Sequence, residues 1–334
     1  MNFHLHFLIQ SHVPQAVSFY QSNFGGLDKV IRLSGYPHSV LTEILTELSR
    51  KARHEEIPVE IIHNCLDNTV QGVILPEQSA GVYGFDVYDP GERNIWTAAH
   101  PESFFTIIKN LEMARKTYQE AKRIHDEQEK VYIGHMDFQA ADELTQETIH
   151  KLLAGRRSGH RGSGTDRFFG ASTVKGSVNY VPDVIRDIPQ RYYIKGRPGT
   201  GKSTFLKKIA REAVARGFHT EIYHCSFDAN SLDMVTVREL DFCIFDSTAP
   251  HEFFPKLPGE EIIDIYARCV TPGTDEKYAE ELAALDRTYK EKLAVASGYL
   301  KQVKKAYDQF EKTLPAFSGA DVDDLTGQLI RELL

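Results

Sequence analysis

The chain has 334 residues, 41 % hydrophobic and 26 % charged, with 39 basic against 47 acidic residues for a net charge of −8. These proportions exclude wholesale disorder and leave material for about two domains, while the acidic balance argues against a broad nucleic-acid surface. No apolar run approaches the roughly 20 residues that span a bilayer, Met1–Gln10 lacks the basic-then-apolar order of a secretory leader, and the four cysteines (Cys65, Cys225, Cys243, Cys269) form no C-x-x-C pair. A cytoplasmic chain with reduced, packed thiols is the expectation.

From its first residues the chain announces a repeat. At an offset of 161, Phe7 falls on Phe168, Gly35 on Gly196, Pro37 on Pro198, Leu45 on Leu206 and Asp67 on Asp228. Glu60-Ile61-x-His63 falls on Glu221-Ile222-x-His224. Thirteen of the 62 positions from 6 to 67 are identical, against about four by chance at average residue usage. Beyond them, an offset of 160 places Phe85, Asp86 and Pro90 on Phe245, Asp246 and Pro250. An offset of 181–182 places Asp126, Glu129 and Lys130 on Asp308, Glu311 and Lys312, and Asp142 and Leu144-Thr145 on Asp323 and Leu325-Thr326. The expected domains are 1–154 and 167–334, joined by a linker at 155–166. The Gly- and Ser-rich run from Gly155 to Gly164 marks that linker.

In the first copy, Gly35-Tyr-Pro-His-Ser-Val-Leu-Thr42 is followed by a helical stripe of Ile44, Leu45 and Leu48. A further helical run carries Ile107, Leu111, Ala114, Tyr118 and Ala121 at alternating spacings of four and three, giving an arm over about 101–150.

The second copy holds the chemistry. Arg191–Lys195 reads as a short strand after Pro189. Gly196-Arg197-Pro198-Gly199-Thr200-Gly201-Lys202-Ser203 then fits G-x-x-x-x-G-K-[ST] in full. Phe205, Leu206, Ile209, Ala213 and Val214 stripe the following helix, which Gly217 stops. Strand, glycine loop and helix together are the context this motif needs. The glycines let the chain curl, backbone N–H groups point inward as an anion nest, and the helix N-terminus adds partial positive charge. Lys202 is then expected at the β/γ-phosphates, and the Ser203 hydroxyl on Mg²⁺; Arg197 and Thr204 complete the candidate nucleotide-binding set.

A strand over His219–Phe227 leads to Asp228, a candidate general base, substrate ligand or turn cap. His224 on that strand reads as a packed histidine. Leu240–Phe245 runs into Asp246, the candidate metal partner of Ser203. Lys202, Asp246 and Asp228 are the candidate catalytic residues. Ser247, where many ATP-hydrolysing motors place a water-activating Glu, argues for slow hydrolysis or kinase chemistry; His251 follows as a further candidate. In the first copy His38, Val40 and Leu41 replace Gly199, Gly201 and Lys202, so that half is expected to keep the scaffold without triphosphate binding.

From Tyr278 to Leu314 an apolar seam repeats at spacings of three and four. It predicts a second arm over about 275–334, either a continuous helix or a hairpin folded at Gly298 or at another turn. Such arms suit antiparallel packing, self-association or a protein partner. Taken together, Tyr193–Thr204, His224-Cys-Ser-Phe-Asp228 and Phe245-Asp-Ser-Thr-Ala-Pro-His251, with Phe169-Gly-Ala-Ser-Thr173, Ile124-His-Asp126 and Met136-Asp-Phe138, resemble a family of bacterial tandem P-loop proteins usually labelled ATPase or nucleotide kinase-like. That resemblance implies two α/β P-loop domains with helical appendages. It also implies ATP binding at Lys202 and Ser203, with Asp246 as the partner of Mg²⁺; the lack of a long apolar run, by itself, argues against a membrane role.

Overall fold

The computed structural model describes residues 3–10, 16–84, 101–249 and 252–334, with side chains left out at 101–103. The first repeat runs β1 (Phe3–Phe7), β2 (Ile9–Gln10), β3 (Val17–Ser18), α1 (Tyr20–Phe24), β4 (Lys29–Leu33), α2 (His38–His54), β5 (Val59–His63), β6 (Val70–Leu75) and β7 (Ala80–Gly84). Two helices follow, α3 (Pro101–Ile133) and α4 (Phe138–Leu153). The second repeat runs β8 (Ser163–Arg167), β9 (Gly170–Thr173), β10 (Gly176–Asn179), α5 (Val181–Val184), β11 (Gln190–Lys195), α6 (Lys202–Ala215), β12 (His219–His224), β13 (Leu232–Val237), β14 (Phe242–Asp246) and β15 (Glu260–Asp264). It closes with α7 (Ile265–Cys269), α8 (Thr274–Lys277), α9 (Ala279–Glu311) and α10 (Gly319–Leu333).

The chain is α/β, with two mixed sheets. Their strand orders are β1-β5-β6-β7-β4 and β15-β11-β14-β13-β12-β8. Read through the repeat, these are one order, with β15 added at an edge. In each sheet the central strand, β6 or β13, is antiparallel to both neighbours, and the outer pairs are parallel. Both register irregularities fall at the repeated histidines, His63 and His224. β6 and β14 are buried almost end to end, as strands covered on both faces must be.

The pairing corrects one alignment. Leu33 pairs with Gly84, and its equivalent Ile194 pairs with Asp246. Gly72 faces Tyr83 as Met234 faces Phe245. The left-handed corners at Ser79 and Asp241 agree. From the central strands onward the offset is therefore 162: one residue is gained in the turn before β13, not lost. Gly84, not Asp86, stands where Asp246 stands; Phe85, Asp86 and Pro90 themselves, like Pro250 and His251, lie outside the described residues.

The structure divides into two compact units, and not at a single point in the chain. Unit 1 comprises Met1–Lys116, Phe168–Val184 and Val295–Leu334; unit 2 comprises Thr117–Arg167 and Ile185–Ala294. Each unit combines the sheet of one repeat with helices that follow the other. In unit 1, α2 and α10 bury Leu41, Ile44, Leu45, Leu48, Val322, Leu329 and Leu333 with Val73 and Val82 of the sheet. In unit 2, α4 and α6 bury Ile149, Leu152, Leu206 and Ile209 with Val235 and Ile244. The expected linker is partly structural, since residues 163–167 are edge strand β8, parallel to β12.

Both long helices form. Ile107, Leu111, Ala114, Tyr118 and Ala121 of α3 are buried, as their spacing predicts. α9 passes through Gly298 without turning, and the arm breaks only after Glu311, before α10; a few tenths to about 1 kcal/mol of lost helix propensity is small beside the burial of Ala296, Leu300, Val303, Tyr307 and Phe310. Within unit 2, the second half of α3 meets the first half of α9 in antiparallel order. Glu120 pairs with Lys292 at 2.6 Å, and the His125 and Tyr289 rings lie 5.7 Å apart. The four cysteines are free thiols. Among the described residues no helix is long and apolar enough to cross a membrane.

Candidate functional site

The glycine loop of unit 2 leaves β11 at Gly196 and enters α6 at Lys202. Gly199 and Gly201 have φ of 76° and 80°, a region costly to side-chain-bearing residues. Gly199 is required twice over, because a β-carbon there would lie 2.5 Å from the Glu129 carbonyl oxygen of α3. Thr200 is buried and braces the curl. Its hydroxyl donates to the Arg197 carbonyl at 2.8 Å and accepts the Arg197 N–H at 3.2 Å. Gly196 is buried, Pro198 half-buried, and Thr204 exposed on the first turn of α6.

Lys202 lies across the loop mouth. Its Nζ donates to the Arg197 carbonyl at 2.9 Å and stands 3.5 Å from Asp246 Oδ2. The Thr248 N–H and hydroxyl donate to Asp246 Oδ1, at 3.1 and 2.7 Å, which fixes the carboxylate. Ser203 Oγ accepts the Leu232 N–H at 2.9 Å. β11 and β14 are direct neighbours, so loop, lysine, hydroxyl and carboxylate converge at one sheet end. Ser247 is turned away, bonded both ways to the Phe253 backbone.

Two sequence candidates are engaged by groups of the protein itself. The Arg197 guanidinium is bound to Asp275, 2.9 Å from Nη2, and lies over the Tyr266 ring at 4.7 Å. Tyr132 donates to the same Asp275 at 2.9 Å. Arg197 therefore pins the loop from outside. Arg197→Ala should lower stability by about 1 kcal/mol, as a thermal melt beside wild type would show; an unchanged melting temperature would mean that the Asp275 pair does not hold the loop. Asp228 serves in two ways, accepting the Asn230 N–H at 3.0 Å as a turn cap and pairing with Lys122 of α3 at 3.1 Å. His224 is a packed strand histidine, bonded to Asp166 at 2.8 Å and to the Ala229 carbonyl.

Three groups escaped sequence reasoning. Asp233 on β13 sits one residue beyond the Met234–Phe245 pair, where the ladder turns it toward Asp246. Burial and then the Asp246 carboxylate hold it above the usual carboxylate range, opposed by Lys202. An acid inside the apolar run Leu232–Val237 was its visible signal. His125 and Glu129 of α3 flank the loop, with His125 Nε2 3.6 Å from Glu129 Oε1. Burial and then the Lys122 and Lys202 charges lower His125, while burial raises Glu129. Ile124-His-Asp126 carries part of the family resemblance, but nothing in the sequence places α3 at the loop, because the meeting joins distant parts of the chain.

Unit 1 holds the counterpart. Lys202, Asp246 and Asp233 correspond to Leu41, Gly84 and Gln71. A β-carbon on Gly84 would lie 3.2 Å from Leu41 Cδ1, so an apolar contact fills the place of the ion pair. α2 begins at His38, three residues earlier relative to α6, and the positive-φ loop is wound into its first turn. Val40 cannot hold the φ of Gly201 at acceptable cost. The freed N–H groups at this start are capped internally: Ser39 donates to Glu311 Oε1 at 2.8 Å and His38 to the Tyr307 hydroxyl at 3.3 Å. Glu311 is the repeat partner of Glu129.

No protein-family model matches the chain, and neither a curated protein nor a solved structure matches it significantly.

Proposed function

We propose that unit 2 is a P-loop nucleotide-binding domain that binds a nucleoside triphosphate, ATP first among candidates, with Mg²⁺. In this reading it transfers the terminal phosphoryl group slowly to water, and unit 1 is a degenerate copy with a structural or regulatory role. The observation that supports it most is the convergence of Lys202, Ser203 and Asp246 on a loop whose two glycines hold positive φ. Ser203 and Asp246 offer hard oxygen donors of the kind Mg²⁺ takes, and Asp233 stands behind them. Mg²⁺ bound there would neutralise charge on the transferring phosphoryl group. Lys202 would exchange its Arg197 carbonyl and Asp246 partners for phosphate oxygens, while inward N–H groups orient the chain. The concerted loss of Lys, Asp and Asp in unit 1 supports joint action, because removing one would leave the others buried without balance.

Asp228 with Lys122 favours a second reading. At the end of β12, where ligands collect in open α/β sheets, this pair suits a kinase whose acceptor is a nucleotide or another small molecule. Purified protein incubated with γ-labelled ATP and Mg²⁺, with and without nucleosides and nucleotides, separates the two beside Lys202→Ala. Slow release of labelled phosphate, abolished by the substitution, is the expected result. Label on an acceptor would favour the kinase, and equal ATP binding by wild type and Lys202→Ala would overturn both.

A further inference from the structure

On the opposite flank of the loop from Asp246, a cavity of about 150 Å³ opens between α4 and the start of α6. Its lining is mostly apolar, with Met136, Phe138, Ala141 and Leu144 on one side and Gly199–Gly201 and Thr204 on the other. It is too small for a whole nucleotide, since ligand pockets commonly run to several hundred Å³. It suits one planar ring system: a cavity of about 150 Å³ is known to hold benzene.

The repeat shows that this space is kept open. α4 and α10 are matched by their N-caps, Asp137 and Ser318, at an offset of 181. On that register Met136 and Ala141 become Phe317 and Val322, while Gly199 and Gly201 become His38 and Val40. In unit 1 the Phe317 and Tyr36 rings lie 5.6 Å apart, and Val322 belongs to the same packed core as Val40 and Tyr36. Larger residues thus occupy in unit 1 what smaller ones leave free in unit 2. Phe138 goes the other way, for its counterpart is Gly319. It stands 64 % exposed at the cavity rim, where an aromatic ring gains nothing from the core.

We propose that this cavity receives the base of the nucleotide whose phosphates lie on the loop, with Phe138 as its stacking face. The inference rests on the phosphate-loop reading. A phosphate chain on the first turn of α6 runs past Thr204 toward the cavity, which leaves the ring to enter between Phe138 and the loop. Polar side chains of the inner lining and rim are already engaged: the Thr145 hydroxyl donates to the Ala141 carbonyl at 2.7 Å, and Lys208 pairs with Asp142 at the rim. The site therefore reads ring shape more than ring edge, and ATP and GTP should bind within about fivefold of each other.

The test is calorimetric titration of the full chain with Mg²⁺–ATP, Mg²⁺–GTP and Mg²⁺–tripolyphosphate. Wild type should bind ATP at least about tenfold more tightly than tripolyphosphate, and Phe138→Ala should remove most of that difference while leaving tripolyphosphate affinity unchanged. Because Phe138 is exposed, this variant should fold; Met136→Phe with Ala141→Val, which imports the unit 1 residues, should act the same way. Equal affinity for ATP and tripolyphosphate in wild type, or an ATP affinity untouched by both variants, would overturn the base site alone. Failure to bind even tripolyphosphate, or tripolyphosphate binding indifferent to Lys202→Ala, would overturn the phosphate-loop reading instead.

Discussion

Gly201→Val is expected to abolish triphosphate binding, by at least about a hundredfold, with little loss of overall fold. The φ of 80° at Gly201 costs a side-chain-bearing residue about 1–3 kcal/mol, and a β-branched one more. Unit 1 displays the available relief: with Val40 at this place the segment winds into helix, and the Leu41 N–H bonds back to the Pro37 carbonyl at 3.0 Å. The same winding in unit 2 would turn inward N–H groups into ordinary helix bonds. Losing two hydrogen bonds to a charged ligand, at about 1.5–3 kcal/mol each, accounts for the expected factor. Equilibrium titration with Mg²⁺–ATP beside a far-ultraviolet spectrum checks both halves, and near-native affinity in a folded Gly201→Val would show that the loop conformation is not what holds the phosphates. Gly201→Ala should fall between, since alanine bears the left-handed cost without β-branching.

Much of this site was legible in the sequence because its chemistry is local. Eight consecutive residues carry the glycine curl, the lysine and the hydroxyl, and the flanking β-prone and 3.6-periodic segments fix their context. The Asp246 strand was legible as a buried run ending in an acid. What it could not reveal was adjacency: that β14 lies beside β11, that Asp233 turns toward Asp246, or that α3 closes on Gly199. Those are long-range pairings with no local periodicity to carry them. The misplaced Asp86 has the same origin. An alignment scored by identities preferred Phe-Asp over Phe-Asp, whereas strand pairing fixes register through side-chain alternation and the left-handed corners at Ser79 and Asp241. The composition of the units was hidden for a related reason, because a helix that follows one sheet in sequence may bury its apolar stripe on another, and its periodicity records only that it is buried.

The loop of unit 1 is held by internal bonding, and His38→Ala should expose it. His38 Nε2 lies 3.0 Å from Asp67 Oδ2 and 3.0 Å from the Thr69 hydroxyl, which donates to Asp67 Oδ1 at 2.6 Å. Asp67 is 3 % exposed. Burial opposes its charge, but the His38 and Thr69 hydrogen bonds win and hold it well below the usual carboxylate range. Removing His38 leaves a buried carboxylate without its main partner, so a loss of about 3 kcal/mol is expected at pH 7. The sign of its pH dependence follows. Asp67 is depressed in the folded state, so its stabilising contribution is complete above the unfolded value near 3.9 and declines as pH falls toward the folded one. The gap between wild type and His38→Ala should therefore narrow as pH falls below about 4. Hydrogen exchange of the α2 segment, residues 38–54, reports unit 1 by itself and makes the comparison free of unit 2. A gap that widened on acidification would mean that the ionised Asp67 is not what His38 stabilises. Asp67→Asn, which keeps the shape and removes the charge, should cost less than His38→Ala and show no such narrowing, because no buried charge is then left without its histidine.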